Sequence, residues 1–167
     1  MNLFVDHFGL VVRSLEESIP FYTAIFGPPV QRVSWRGKDA EYVAKMVAHP
    51  GLELDAAFFQ LPFTQSLMEM IEYRGVKPTN AKLDPMQVSA THLGLFVENL
   101  DKTMERLRAL GVTFRSEPID IPYGPYKGGR SIYFTDPNGM NLQLMQLAGR
   151  PGQIGRASCR ERVLTDV

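Results

Sequence analysis

The stretch DHFGLVVRSLEES, residues 6–18, decides how this chain is organised, because it returns as THLGLFVENLDKT at residues 91–103. At a constant offset of 85, His7 falls on His92, Gly9 on Gly94, Leu10 on Leu95, Val12 on Val97, Leu15 on Leu100 and Glu16 on Asp101. Six chemical matches in ten ungapped positions mark an internal repeat. Each copy reads as a short apolar strand, a capping residue and then a helix.

In the first copy Ser14 with Glu17 three residues on is a capping-box signature, and Phe26-Gly27 supplies the stop. Pro20 lacks a backbone donor and is expected to bend this helix or delay its regular start. In the second copy Asn99 can cap and Asp101 suits the positive end of the helix dipole. Leu100, Met104, Leu107 and Leu110 then form one apolar stripe before Gly111. Strand-like runs follow each helix: PVQRVSW, LELDAAFFQL and SLMEMIEY in the first half, VTFRS, RSIYFTD and MNLQLMQL in the second. The segment GKDAEYVAKMVAHPG, residues 37–51, adds helical pattern to the first half only. The Pro- and Gly-rich loop EPIDIPYGPYKGGR, residues 117–130, takes its place in the second.

The order strand, helix, strand, strand, strand therefore occurs twice, which predicts an α+β chain of two βαβββ modules. We place the first over residues 1–75, a linker over 76–88, the second module over 89–150 and a tail over 151–167. The tail lacks a core pattern, and its run IGRASCRERV reads like a translated sequencing-adapter string, so it is set aside. The final strands of the modules align as MEMIE, residues 68–72, on LQLMQ, residues 142–146, at an offset of 74. Glu69 thus falls on Gln143, as His7 falls on His92.

Composition narrows the function. The formal net charge is zero, and setting the tail aside leaves 15 basic and 16 acidic residues, so there is no electrostatic footprint for nucleic acid. No apolar run approaches the roughly 20 residues that span a bilayer, which predicts no membrane partner. MNLFVDHFGLVV lacks the basic start and small-residue cleavage site of a secretory signal, which predicts a cytoplasmic protein. The single cysteine, Cys159, excludes an internal disulfide and a thiolate metal cluster.

Strand alternation puts His7 on a face with Val5, Gly9 and Val11, His92 with Ala90, Gly94 and Phe96, and Glu69 with Leu67, Ile71 and Tyr73. A carboxylate aimed at apolar neighbours is costly unless it is paired or metal-bound. Taken singly, each of these residues also reads as an ordinary core or surface residue. Taken as two repeat-related pairs, two histidines, a glutamate and a glutamine fit one metal ion.

The chain resembles the vicinal oxygen chelate superfamily, the group of glyoxalase I, methylmalonyl-CoA epimerase, extradiol dioxygenases and antibiotic-resistance proteins. The residues carrying the resemblance are DHFGLVVRSLEESIPFYTAIFG, LMEMIEY, THLGLFVENLDKTMERLRALGV and RSIYFTDPNGMNLQLMQ. It implies two βαβββ modules whose mixed sheets curl around a cleft, a divalent metal at its base, and a homodimer. The family ligand positions map to His7, Glu69, His92 and Gln143. The departure is Gln143, where many members carry glutamate. One carboxylate and three neutral donors leave a divalent centre with a formal charge of about +1, a stronger Lewis acid than a two-carboxylate site. An N/O donor set suits nickel, cobalt, zinc, manganese or iron alike.

What the resemblance implies for chemistry is chelation of adjacent substrate oxygens and stabilisation of an enolate or oxyanion. Glu69 is the candidate base, in a lyase or isomerase of the glyoxalase I type. A two-base epimerisation would need Glu72, Asp55 or Tyr73 as a second group. The alternatives are an extradiol dioxygenase on a two-histidine, one-carboxylate iron site, and a non-catalytic binder of a small molecule or antibiotic. The loop YGPYKGGR offers Tyr123, Tyr126, Lys127 and Arg130 as a lid that clamps an anionic substrate, or else is a plain polar hairpin loop.

Overall fold

The computed structural model describes residues 5–77 and 84–149. The middle of the expected linker and the tail over 151–167 lie outside the described residues. The chain divides into two compact units, Met1–Asn80 and Ala81–Val167.

The first unit contains strand β1 (His7–Val11), helix α1 (Leu15–Phe26), strand β2 (Gln31–Trp35), a short 3-10 turn (Gly37–Ala40), helix α2 (Glu41–Met46), and strands β3 (Glu53–Gln60) and β4 (Leu67–Arg74). The sheet order is β1-β4-β3-β2, with β1 parallel to β4 and the other pairs antiparallel. Ser14 caps α1 as its sequence predicts, its hydroxyl accepting from the Glu17 N–H at 3.3 Å. The helix starts at Leu15 and runs through Pro20, so the proline does not delay it. Gly27 ends it at φ 86°, a value that disfavours any side chain.

Alternation divides the sheet into two apolar faces. Ala57, Phe59, Met68 and Met70 are buried against Leu15 and Tyr22 of α1. On the other face Leu54 and Ala56 are buried against Val43 and Ala44 of α2, with Val33, Trp35, Phe58, Ile71 and Tyr73 beside them. Burying the larger of these side chains supplies roughly 1.5–3 kcal/mol each.

The second unit repeats the plan with strand β5 (His92–Phe96), helix α3 (Leu100–Ala109), and strands β6 (Ile119–Asp120), β7 (Arg130–Thr135) and β8 (Asn141–Gln146). Its order, β5-β8-β7-β6, matches the first with the same mix of parallel and antiparallel pairs. Asn99 caps α3, accepting from the Lys102 N–H at 2.9 Å. Leu100, Met104 and Leu107 are buried as the stripe predicts, but Leu110 is exposed because the helix has ended and turns into Gly111 at φ 83°. The expected strand VTFRS is also corrected. It shortens to a single bridge between Phe114 and Phe134, and the edge strand forms later, as the two residues of β6 inside the expected loop.

The repeat extends to side chains that tie helix to sheet. Leu15 N–H donates to Glu72 Oε2 at 2.8 Å, and Leu100 N–H donates to Gln146 Oε1 at 2.6 Å. In each unit the first orphan amide of the helix is satisfied from the unit's final strand.

Candidate functional site

Glu69 and Gln143 occupy the same register position in their sheets. Gly9 stands opposite Glu69 across the parallel pair β1/β4, and Gly94 stands opposite Gln143 across β5/β8. In both sheets the histidine lies two residues before that glycine, on the same face. Local structure fixes the register of β8. Asp136 Oδ1 accepts from the N–H groups of Asn138 at 2.8 Å and Met140 at 2.7 Å, and Gly139 adopts φ 90°, so the Asp-Pro-Asn-Gly turn closes tightly before Asn141.

In the first unit His7 Nε2 lies 3.4 Å from Glu69 Oε2. Asp6 Oδ2 accepts from His7 Nδ1 at 2.8 Å. This carboxylate-histidine contact puts the ring proton on Nδ1 and turns the Nε2 lone pair toward Glu69. Two lone-pair atoms facing one another at that distance repel unless a proton or a cation lies between them. The hydrogen bond to Asp6, opposed by burial and assisted by the Glu69 charge, holds the His7 proton to a higher pH than usual. The Glu69 side chain is only 15% exposed and pairs across the sheet with Phe58, so its charge is partly desolvated.

In the second unit the His92 ring stands edge-on to Tyr133, with centroids 5.4 Å apart. Gln143 Nε2 donates to Ser131 Oγ at 2.8 Å. Among the described residues no three His, Cys, Asp or Glu side chains gather as a metal cluster, and each unit by itself offers a pair of donors. The first pair fits a divalent ion. Two donors at about 2.1 Å from an octahedral ion stand about 3.0 Å apart, close to the observed His7–Glu69 spacing. Gly94 leaves the floor beside Gln143 open, since a Cβ there would lie 3.7 Å from Gln143 Oε1 and 3.1 Å from Met145 Cε. Nothing stands within 4 Å of the corresponding position on Gly9.

Two of the expected second bases are turned away. Asp55 and Glu72 pair with each other across the sheet on the α1 side, opposite the face that carries Glu69. Asp55 receives hydrogen bonds from Ser34, Arg36 and Arg74, and Glu72 holds Arg74 as well as Leu15 N–H. Burial pushes the Asp55 carboxyl up, but these donors outweigh it and bring its pKa down to about 2. A groove of about 790 Å³ opens beside this network, and its partly buried carboxylates are already committed to arginine.

The loop residues separate. Tyr123 is 82% exposed and Lys127 is exposed, at the tip of the hairpin that joins β6 to β7. Tyr126 packs edge-on against Phe96, centroids 5.6 Å apart, on the face of β5 that carries His92. Arg130 begins β7, and its guanidinium holds Asp101 through bonds of 2.8 and 3.1 Å, tying the hairpin base to the first turn of α3. Sequence reasoning missed Ser131 and Arg115. Phe114 bridges Phe134 on the helix side, so the adjacent Arg115 lies on the His92 face, where it donates to Asn141 Oδ1 at 2.7 Å. Ser131 lies within RSIYFTDPNG and Arg115 within VTFRS, but neither stretch singles its residue out; strand alternation from Phe134 is the signal that could have placed them.

A family model described as the Glyoxalase/Bleomycin resistance protein/Dioxygenase superfamily matches residues 4–144. Among characterised relatives, a 2-epi-5-epi-valiolone epimerase from Actinomyces is 28% identical over 88% of this chain and 81% of its own length. A lactoylglutathione lyase from Salmonella typhimurium is 29% identical over 86% of this chain and 94% of its own. Among solved structures, a glyoxalase family protein from Bacillus cereus superposes with a TM-score of 0.77 at 19% identity, covering 89% of this chain and 97% of that one. The fosfomycin resistance protein FosX from Listeria monocytogenes, complexed with Mn(II) and sulfate, superposes with a TM-score of 0.54 at 21% identity, covering 87% and 93%.

Proposed function

The chain belongs to the Glyoxalase/Bleomycin resistance protein/Dioxygenase superfamily, and on that premise we propose that it is a metal-dependent lyase or isomerase moving a proton on a small oxygenated substrate. The observation that carries the reading is the 3.4 Å approach of His7 Nε2 to Glu69 Oε2, with Asp6 behind the histidine. His7 with Glu69 in the first unit, and His92 with Gln143 in the second, are the donors that would serve a divalent ion. When bound, the ion supplies a Lewis acid for charge developing on substrate oxygens carried by adjacent atoms. The names of the lyase relatives and of the epimerase relative favour this class of reaction, as does the Mn(II) in the FosX structure.

Glu69 is the base. Its carboxylate takes the proton from a hydroxyl-bearing carbon next to a carbonyl, and the C–H electron pair forms the C=C bond of an enediolate as the carbonyl π pair moves onto its oxygen. Glu69 returns the proton to the former carbonyl carbon, while the hydroxyl proton passes to that carbon's oxygen and a carbonyl forms at the first carbon. No net proton is gained or lost. Phe58 and Ile71 flank the carboxylate on its face of the sheet, and its side chain is 15% exposed. Gln143 cannot take a proton, and Asp55 and Glu72 face the other side of the sheet, which leaves Tyr73 as the one expected second group on the Glu69 face, so one-base transfer by Glu69 is favoured over a two-carboxylate epimerisation. Tyr126 and Lys127 of the hairpin loop, with Arg115 on the His92 face, provide contacts for an anionic substrate.

The test is deuterium exchange followed by NMR. Lactoylglutathione and 2-epi-5-epi-valiolone, the compounds named by the relatives' activities, are incubated with the protein in D₂O with Mn²⁺, Ni²⁺, Co²⁺ or Zn²⁺. Deuterium should enter at a carbon beside the carbonyl, and Glu69→Gln should abolish it. Exchange that persists in Glu69→Gln removes Glu69 as the base. A protein that binds none of the four ions overturns the metal reading.

A further inference from the structure

We propose that Ser131 is a positioning residue that turns the Gln143 amide so that its oxygen, and not its nitrogen, is offered to a cation. The inference rests on the metal reading of His7, Glu69, His92 and Gln143. An amide side chain has one atom that can ligate, the carbonyl oxygen; its NH₂ group carries two protons and has no lone pair to give. Which of the two faces the site therefore decides whether Gln143 is a ligand at all.

The hydroxyl of Ser131 settles the choice by its own proton. Ser131 Oγ donates to Leu144 O at 3.1 Å and stands 2.8 Å from Gln143 Nε2. A hydroxyl has a single proton. With that proton committed to Leu144, Ser131 can only accept from Gln143, so the NH₂ group must face it. Oε1 is then turned the other way, over Gly94 of β5, the strand that carries His92.

The first unit serves as the internal control. Ser131 pairs with Met145 across β7/β8, and Ala56 pairs with Ile71 across β3/β4. Ile71 and Met145 are repeat equivalents, opposite Val11 and Phe96 in the parallel pairs. Ala56 thus holds in the first sheet the place that Ser131 holds in the second. Beside the methyl group stands Glu69, whose two oxygens are equivalent and need no orienting. Beside the hydroxyl stands Gln143, whose two terminal atoms are not equivalent. The chemistry of each neighbour matches what its ligand needs.

The experiment is a Mn²⁺ titration, read by the electron paramagnetic resonance of the free ion, on the full chain. Ser131→Ala should weaken binding roughly tenfold or more, the usual scale for losing an outer-shell partner, and Ser131→Thr should restore it. With Gln143→Glu already in place, Ser131→Ala should change the affinity by less than about twofold, because a carboxylate presents oxygen either way. In metal-free protein the Gln143 side-chain NH₂ resonances should shift in Ser131→Ala and hold in Ser131→Thr. Wild-type binding that is unchanged in Ser131→Ala overturns the role of Ser131 and leaves the metal reading standing. An equal loss with and without Gln143→Glu also overturns it, since that marks a merely structural effect. Failure of the wild type to bind Mn²⁺ or the other three ions overturns the metal reading and this inference together.

Discussion

Glu69 and Gln143 stand at one and the same place in two sheets, each opposite a glycine of a parallel strand that begins with a histidine. A fold built twice has put a carboxylate at this place in one half and a neutral amide in the other. The difference of one charge is the chemical signature of this chain and the source of its first prediction. Gln143→Glu should tighten Mn²⁺ binding by about tenfold or more, since affinity follows the charge of the ligand set. Isothermal calorimetry on the variant and the wild type measures it, and equal affinities would mean that residue 143 does not touch the ion.

Asp6 is predicted to act through His7. Asp6→Asn keeps the shape but weakens the acceptor for Nδ1–H, so His7 loses its fixed tautomer. Metal affinity should fall roughly tenfold, the low end of the usual effect because Asp6 is largely exposed. Thermal stability should stay unchanged, which separates this outcome from misfolding.

Acid stability should depend on Asp55. Its folded pKa of about 2 lies below the ordinary aspartate value of 3.8, so below pH 4 the unfolded chain binds more protons than the native one. The stabilisation is present in full above about pH 4 and is lost as pH falls through about 2, amounting to about 2 kcal/mol. Urea unfolding from pH 5 to pH 2 should show this acid limb, and Asp55→Asn should flatten it. The same substitution should cost stability at pH 7 by no more than the amount the charge supplies, because Arg36 and Arg74 are each nearly half exposed and keep Glu53 and Glu72 as partners.

Gly129 is a position where no side chain fits. A Cβ there would stand 2.5 Å from Gln146 O and 3.0 Å from Tyr126 O, both backbone atoms that cannot swing aside. Gly129→Ala should destabilise the protein by about 2 kcal/mol, measured by chemical denaturation, and should displace the loop that carries Tyr126 and Lys127. Gly9→Ala, with open space at its Cβ, is the matched control and should leave stability within about 0.5 kcal/mol.

Much of the candidate site was legible in the sequence as a pattern, because the equivalence of its residues is written in identities and local spacing. The two histidines, the alignment of Glu69 on Gln143 and the caps Ser14 and Asn99 all follow from periodicity and repeat offset, which act over a few residues. The edge strand was not legible in that way. VTFRS has the composition of a strand, yet only Phe114 bridges to a neighbour, and pairing passes instead to Ile119 and Asp120. An edge strand exists only where a partner's free backbone groups receive it, and that is a property of the assembled sheet.

The sequence by itself determined the twofold βαβββ plan and which four residues stand in equivalent places, since strand and helix periods and side-chain chemistry belong to the chain. Tertiary structure alone decided which groups those residues meet. Register set Ser131 against Gln143 and Ala56 near Glu69, sent Asp55 and Glu72 to the helix side, and gave Arg130 to Asp101. Hydrogen-bond partners far apart in the chain are chosen by how strands pair, and a one-residue slip would have turned every one of them to the opposite face.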